Sequence, residues 1–168
     1  PSNTAVDIFA SSRSAAVLLA DGRVFAVGDN PGSRVTCNTS QTDQQTPTQL
    51  TTMTNLKEVD FGSFHSVLLT TDGYVYTCGR IYKNTNSGGN ASFLSSISGT
   101  YAYTNGPILM DDYGQQGRVI AVRATGTTNF MLLDNGSVMC VGSNSSGQCQ
   151  HPTINTAYQT TPIFMPGL

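Results

Sequence analysis

Tryptophan is absent from this chain of 168 residues, and charge is scarce: Asp, Glu, Lys and Arg together make up 11%, against about 25% in an ordinary soluble domain. The eight Lys and Arg are scattered and the net charge is −2. The basic face that nucleic acid demands is therefore missing, and no nucleic-acid partner is expected. No apolar run approaches the ~18 residues of a membrane-spanning helix, so no membrane insertion is expected. Histidine occurs only as His65 and His151. No CxxC or Cys/His cluster offers zinc spacing, and no Gly-Lys-Ser/Thr loop cradles phosphate.

Catalysis needs a base, a nucleophile or a metal in mutual reach. His65 lies in a repeated segment and reads as a buried hydrogen-bonding residue, whereas His151 precedes Pro152 in a polar loop and reads as solvated. Asp21, Asp72 and Asp134 sit at turns, which explains them without acid–base chemistry. Asp111 and Asp112 form the one adjacent acidic pair. They lack the Asp-x-Asp-x-Asp-Gly surroundings of a calcium loop and read as solvated. No catalytic residue, metal site or cofactor is expected, so the chain reads as a non-enzyme.

Solubility rests on Ser, Thr, Asn and Gln. Four sequons, at Asn38, Asn90, Asn135 and Asn144, are candidate glycosylation sites. Four cysteines, Cys37, Cys78, Cys140 and Cys149, allow two disulfides with three connectivities in a secreted chain, or serve as small buried hydrophobes in a cytosolic one. An extracellular protein is expected, with a cytoplasmic one as the alternative. The chain starts at Pro1 with no signal-like segment, as in a processed protein or a portion of a longer one.

The principal signal is a repeat. Val17-Leu-Leu-Ala-Asp-Gly-Arg-Val-Phe-Ala-Val-Gly28, Leu68-Leu-Thr-Thr-Asp-Gly-Tyr-Val-Tyr-Thr-Cys-Gly79 and Met131-Leu-Leu-Asp-Asn-Gly-Ser-Val-Met-Cys-Val-Gly142 align on two glycines. Each reads as a hairpin. Gly22, Gly73 and Gly136 supply the positive φ of a tight turn, and Gly28, Gly79 and Gly142 end the following strand. That strand alternates with both faces largely apolar, as in a sheet covered on both sides. A short strand precedes each hairpin: Val6–Phe9, Lys57–Phe61 and Val119–Arg123. Further upstream, Pro47–Leu50, Pro107–Met110 and Pro162–Met165 supply another strand. Four-stranded units at a period of about 40–60 residues predict propeller blades.

The segment Gly62-Ser-Phe-His65-Ser-Val-Leu-Leu-Thr-Thr-Asp-Gly73-Tyr-Val-Tyr-Thr-Cys-Gly79 resembles the core of a regulator-of-chromosome-condensation repeat. Gly142-Ser-Asn-Ser-Ser-Gly147-Gln148 resembles that family's loop after the third strand, and Gly28-Asp-Asn-Pro-Gly32 matches it in part. The chain departs from the pattern in places. Val27, Cys78 and Val141 stand where the family carries Trp. Ser14 replaces His65 in the first repeat, and Thr128 or Asn129 does so in the third. The resemblance implies an all-β propeller segment of three four-stranded antiparallel blades that binds proteins, and, from its best-known members, nucleotide exchange on a small GTPase.

The repeats run over 5–46, 47–106 and 107–161, with 162–168 opening a next blade, so the ends are offset by one strand. Three blades do not close a ring of about four to eight. Either further blades complete it, or the 162–168 strand completes a blade in trans in another copy. The most individual segment is the insertion Arg80–Gly106. Its Tyr82, Phe93, Tyr101 and Tyr103 form a candidate binding loop for a protein or a glycan; equally, the loop covers the blade edge. The expected function is a non-catalytic interaction module that binds a protein partner or itself. The alternative is a secreted, glycosylated, self-assembling or lectin-like protein.

Overall fold

A computed structural model describes residues 3–82, 101–110, 117–150 and 158–165. It holds three antiparallel sheets in series. Blade one is β1 (Ala5–Ala10), β2 (Ser14–Leu19), β3 (Val24–Gly28) and β4 (Gln44–Gln49), paired in that order. Blade two is β5 (Leu56–Phe61), β6 (His65–Thr70) and β7 (Val75–Tyr82), with β8 (Tyr101–Tyr103) and β9 (Ile108–Leu109) both pairing β7. Blade three is β10 (Val119–Thr125), β11 (Thr128–Leu133), β12 (Val138–Ser143) and β13 (Tyr158–Phe164). The expected all-β propeller segment of three four-stranded units is present. Blade two adds an extra strand piece.

The repeat boundaries differ from the sequence reading. Each proline segment returns antiparallel to the third strand of its own blade: Ala26 faces Thr48, Thr77 faces Ile108, and Cys140 faces Ile163. These are edge strands, where a missing N–H is tolerated. Segments 47–50, 107–110 and 162–165 therefore close a blade and do not open the next. The strand at 162–164 is already paired in cis and is not free to complete a blade in trans.

The hairpin glycines behave as expected. Gly22 has φ +80 and donates to Leu19 O at 2.9 Å, and Gly73 and Gly136 repeat this turn with φ +91 and +85. The second glycine of each repeat has a different cause. A Cβ on Gly28 would lie 2.3 Å from Arg13 O, on Gly79 2.6 Å from Phe64 O, and on Gly142 2.3 Å from Thr127 O. The turn entering β2, β6 or β11 thus presses on the backbone there. Only in blade one does the strand stop at this glycine; β7 continues to Tyr82 and β12 to Ser143.

Strand alternation builds two cores. Ala16, Leu18, Val24 and Ala26 of blade one meet Leu56, Val59, Phe61 and Leu68 of blade two, all at most 6% exposed. Val67, Leu69 and Val75 on the opposite face of blade two meet Val119, Val122, Met131 and Leu133 of blade three, all at most 1% exposed. Blade two is buried on both faces, as its doubly apolar strands require. Each buried Leu or Val contributes roughly 1.5–3 kcal/mol.

Candidate partner-binding surface

Ser14 faces Gly28, His65 faces Gly79 and Thr128 faces Gly142 across their ladders. The first turn and the connection after the third strand of every blade therefore share one rim. In blade one that connection is organised by Asn30, which is fully buried. Its Oδ1 accepts the Val35 N–H at 2.9 Å, and its Nδ2 donates to Ser40 O at 3.0 Å and Thr42 O at 3.1 Å. Asn144 repeats the device, accepting the Cys149 N–H at 2.9 Å. The positions matching Ser40 and Thr42 there lie outside the described residues. Ser33, at φ +63, stands where blade three has Gly147 at φ +77.

Arg34 reaches from this loop into blade two. Its guanidinium donates to Gly62 O at 2.7 Å, to Ser14 Oγ at 2.9 Å and to Asp29 O at 3.2 Å. Burial pushes its pKa below the ordinary value, and Asp29 opposes this. Arg34 lines a polar cavity of about 370 Å³ with Ser11, Ser12, Asp60, Ser63 and Thr125, where the first turns of three blades converge. The carboxylates beside it are structural. Glu58 accepts the Val122 N–H and Asp60 the Ala124 N–H, each at 2.8 Å, and Arg123 pairs with Glu58. These bonds tie the inner strand of blade three to blade two and occupy the acids.

His65 is buried at the junction of blades two and three, with Nε2 2.8 Å from Asn129 Oδ1. Burial pushes its pKa below the usual histidine value, while the Asn129 contact pulls the other way. Register makes Thr128, not Asn129, the counterpart of His65, and its hydroxyl donates to Ser143 O at 3.0 Å.

Of the tyrosine cluster, Tyr82 lies in β7 and faces Tyr101 of β8, while Tyr103 faces Arg80. The ends of the insertion are thus a strand ladder that carries blade two beyond Gly79, rather than a bare loop. Phe93, Asn90, Asp111, Asp112 and His151 lie outside the described residues. Asn38 and Asn135 are exposed. Asn144 is fully buried, which leaves no place for a glycan on its amide; the Asn144 sequon is a loop-organising residue. The cysteines join as Cys37–Cys78 and Cys140–Cys149, with Cα separations of 5.1 and 5.4 Å. The first links the loop of blade one to β7 of blade two. The second stays within blade three.

Asn30, Arg34, Asp60 and Glu58 were not singled out by sequence reasoning. The asparagines left a signal, since each stands two residues after Gly28 or Gly142. The roles of Arg34 and the two acids left none, because their partners belong to the neighbouring blade.

Residues 56–87 match the regulator of chromosome condensation (RCC1) repeat family. An RCC1 repeat-containing protein of Dictyostelium discoideum is 25% identical over 134 residues, covering 77% of this chain and 26% of that protein. Human WBSCR16 superposes with a TM-score of 0.72 at 18% identity, over 98% of this chain and 38% of that one. Yeast RCC1 (Prp20), solved bound to Kap60, superposes with a TM-score of 0.75 at 15% identity, over 97% of this chain and 37% of that one. A further structure, of Prp20p from Saccharomyces cerevisiae, described with its binding to Gsp1p and histones, gives 0.72 at 15% identity over 97% and 38%. The chain thus spans about a quarter of the curated relative and under two-fifths of the solved structures. Residues 56–87 thus carry a segment similar to an RCC1 repeat, and the three blades share the fold of the RCC1 propellers they superpose on.

Proposed function

We propose that this chain is a non-catalytic interaction module that holds a protein partner on the rim carrying the β7–β8 ladder. The observation that supports this reading most is that ladder: it extends the backbone pairing of blade two beyond Gly79, with Tyr82, Tyr101 and Tyr103 among its residues, on a blade buried on both faces. A rigid scaffold bearing a Tyr-rich extension loses little entropy on binding. The neighbouring rim is polar, as partner-binding edges usually are. The yeast structures come from proteins described with protein partners, which agrees with this reading.

The test compares the intact chain with a variant in which a short Asn-Gly turn replaces residues 83–100 and Tyr82, Tyr101 and Tyr103 become Ser. Partners are identified by crosslinking and mass spectrometry. A partner crosslinked to the ladder and lost from the variant is the expected result. A partner retained by the variant would move the site elsewhere. Accelerated release of labelled guanine nucleotide from a small GTPase would replace the scaffold reading with exchange activity.

A second reading concerns compartment, and the pairing of all four cysteines favours it. Disulfides persist in oxidising surroundings, and Asn38 and Asn135 offer surface acceptors. On this reading the chain is extracellular and carries glycans at those two sites. Intact mass of the native protein, before and after reductant and glycosidase, decides it: an unmodified, fully reduced chain counts against it.

A further inference from the structure

Aspartate or asparagine precedes glycine four times in the chain, at Asp21-Gly22, Asp72-Gly73, Asn105-Gly106 and Asn135-Gly136. Three of these pairs form the central hairpin turns. There the glycine N–H donates to the carbonyl three residues earlier: Gly22 to Leu19 O at 2.9 Å, Gly73 to Thr70 O at 3.0 Å and Gly136 to Leu133 O at 3.0 Å. Asn135 is held as well, its Oδ1 accepting the Ser137 N–H at 2.9 Å. Asn105-Gly106 is the exception. It lies between β8 and β9 with Asn105 exposed. Among the described residues, neither the Asn105 side chain nor the Gly106 N–H has a hydrogen-bond partner. A Cβ on Gly106 meets nothing within 4 Å, and the pair borders a cavity of about 400 Å³ with Thr36, Gln49 and Thr51.

This freedom has a chemical consequence, because an asparagine side chain is open to attack by the amide nitrogen of the next residue. Gly106 N closes on Asn105 Cγ and a C–N bond forms. The side-chain nitrogen leaves as ammonia, taking the proton from Gly106 N. Water then opens the five-membered imide. Opening at one carbonyl leaves aspartate; opening at the other leaves isoaspartate, whose main chain runs through the former side chain. The ring closure is intramolecular, so its rate follows how freely the two groups reach each other. A glycine, with no Cβ, obstructs the approach least. At Asn135 the attacking nitrogen must first leave Leu133 O, and the side chain must leave Ser137.

We propose that Asn105 is a self-modifying site, converting to aspartate and isoaspartate in the folded chain, and that isoaspartate there loosens the β8 ladder. Thr104 is buried and tied to Gly79 twice. Its N–H donates to Gly79 O and its hydroxyl accepts the Gly79 N–H, each at 3.0 Å. On one side of this anchor Tyr103 faces Arg80; on the other, Ile108 faces Thr77. Residues 104–107 thus bridge two fixed points on β7. Isoaspartate adds one backbone carbon and one negative charge to that bridge, directly beside the anchor. The chemistry of the site stands apart from the rim function proposed above; only a loss of partner with age would rest on that reading.

The test ages the folded 168-residue chain at mildly alkaline pH and follows both Asn-Gly pairs by peptide mapping, with enzymatic methylation of isoaspartyl carboxylates as the readout. Conversion at Asn105 is expected to be about tenfold or more faster than at Asn135. In urea the two pairs should convert at similar rates, because the bonds that protect Asn135 are gone. Asn105→Gln, whose longer side chain closes a ring far less readily, should remove the fast label and keep the far-UV circular dichroism of the parent. Hydrogen exchange at Arg80–Tyr82 should rise in the aged parent and not in aged Asn105→Gln. Asn135 converting as fast as Asn105 in the folded chain overturns the proposal, as does a difference that persists in urea. Exchange at Arg80–Tyr82 that ageing leaves unchanged overturns the effect on the ladder. No partner enters these measurements, so they fail or succeed separately from the rim reading.

Discussion

Asn30 shows how much one buried amide can organise. It satisfies three backbone groups of a connection that has no ladder of its own, and a buried group that loses its partner costs more than an average hydrogen bond returns. Asn30→Ala should therefore destabilise the chain by about 2–4 kcal/mol in urea unfolding. Exposed Asn38 accepts only the Ser40 N–H and the Thr36 hydroxyl, so Asn38→Ala should cost less, about 0.5–1.5 kcal/mol. His65 gives a pH signature. Its folded pKa lies below the ordinary value because burial disfavours the imidazolium. The unfolded chain takes up the proton near pH 6.5, so stability is full above about pH 6.5 and declines as pH falls towards the folded pKa. The expected slope is up to about 1.4 kcal/mol per pH unit. Thermal unfolding between pH 7.5 and 5.5 checks this, and His65→Gln should flatten the profile. The glycines and His65 were legible in the sequence because backbone geometry and repeat position constrain them locally. Arg34, Glu58 and Asp60 were not, since each takes its partners from another blade.

Hairpins are the elements that local chemistry specifies best. Asp-Gly and Asn-Gly between alternating apolar strands gave all three central hairpins in register. The outer strands were found but assigned to the wrong blade, because pairing of an edge strand is decided by where its loop returns. Gly22 and Gly136 separate local from non-local causes. Both need positive φ, so either change to Ala costs about 1–2 kcal/mol. Gly22→Ala also drives a methyl into Thr54 O and should cost about 1–3 kcal/mol more. Urea midpoints of the two variants read out the difference. The disulfides also differ as elements. Cys37–Cys78 spans 41 residues and Cys140–Cys149 spans 9. Replacing the first pair by Ala should cost about 3–4 kcal/mol and replacing the second about 1 kcal/mol less. Equal losses in denaturant unfolding would show that chain entropy is not what the inter-blade link contributes.

At the scale of the molecule, stability is a sum over blades and junctions, as in other repeat proteins. Blade two has a neighbour on each side, so it should exchange its amide protons last, with the outer faces of blades one and three opening first. Hydrogen exchange followed by mass spectrometry reads this order directly. The sequence by itself determined that the chain makes three similar β units, that each turns on a glycine, and that both faces of its hairpin strands are largely apolar. Those facts follow from local rules: strand periodicity, turn geometry and the absence of helical pattern. Only the tertiary structure decided which strand closes each blade, which cysteines meet, and that Asn144 is buried. All of these are relations between residues far apart in the chain, and packing around the blade junctions settles them.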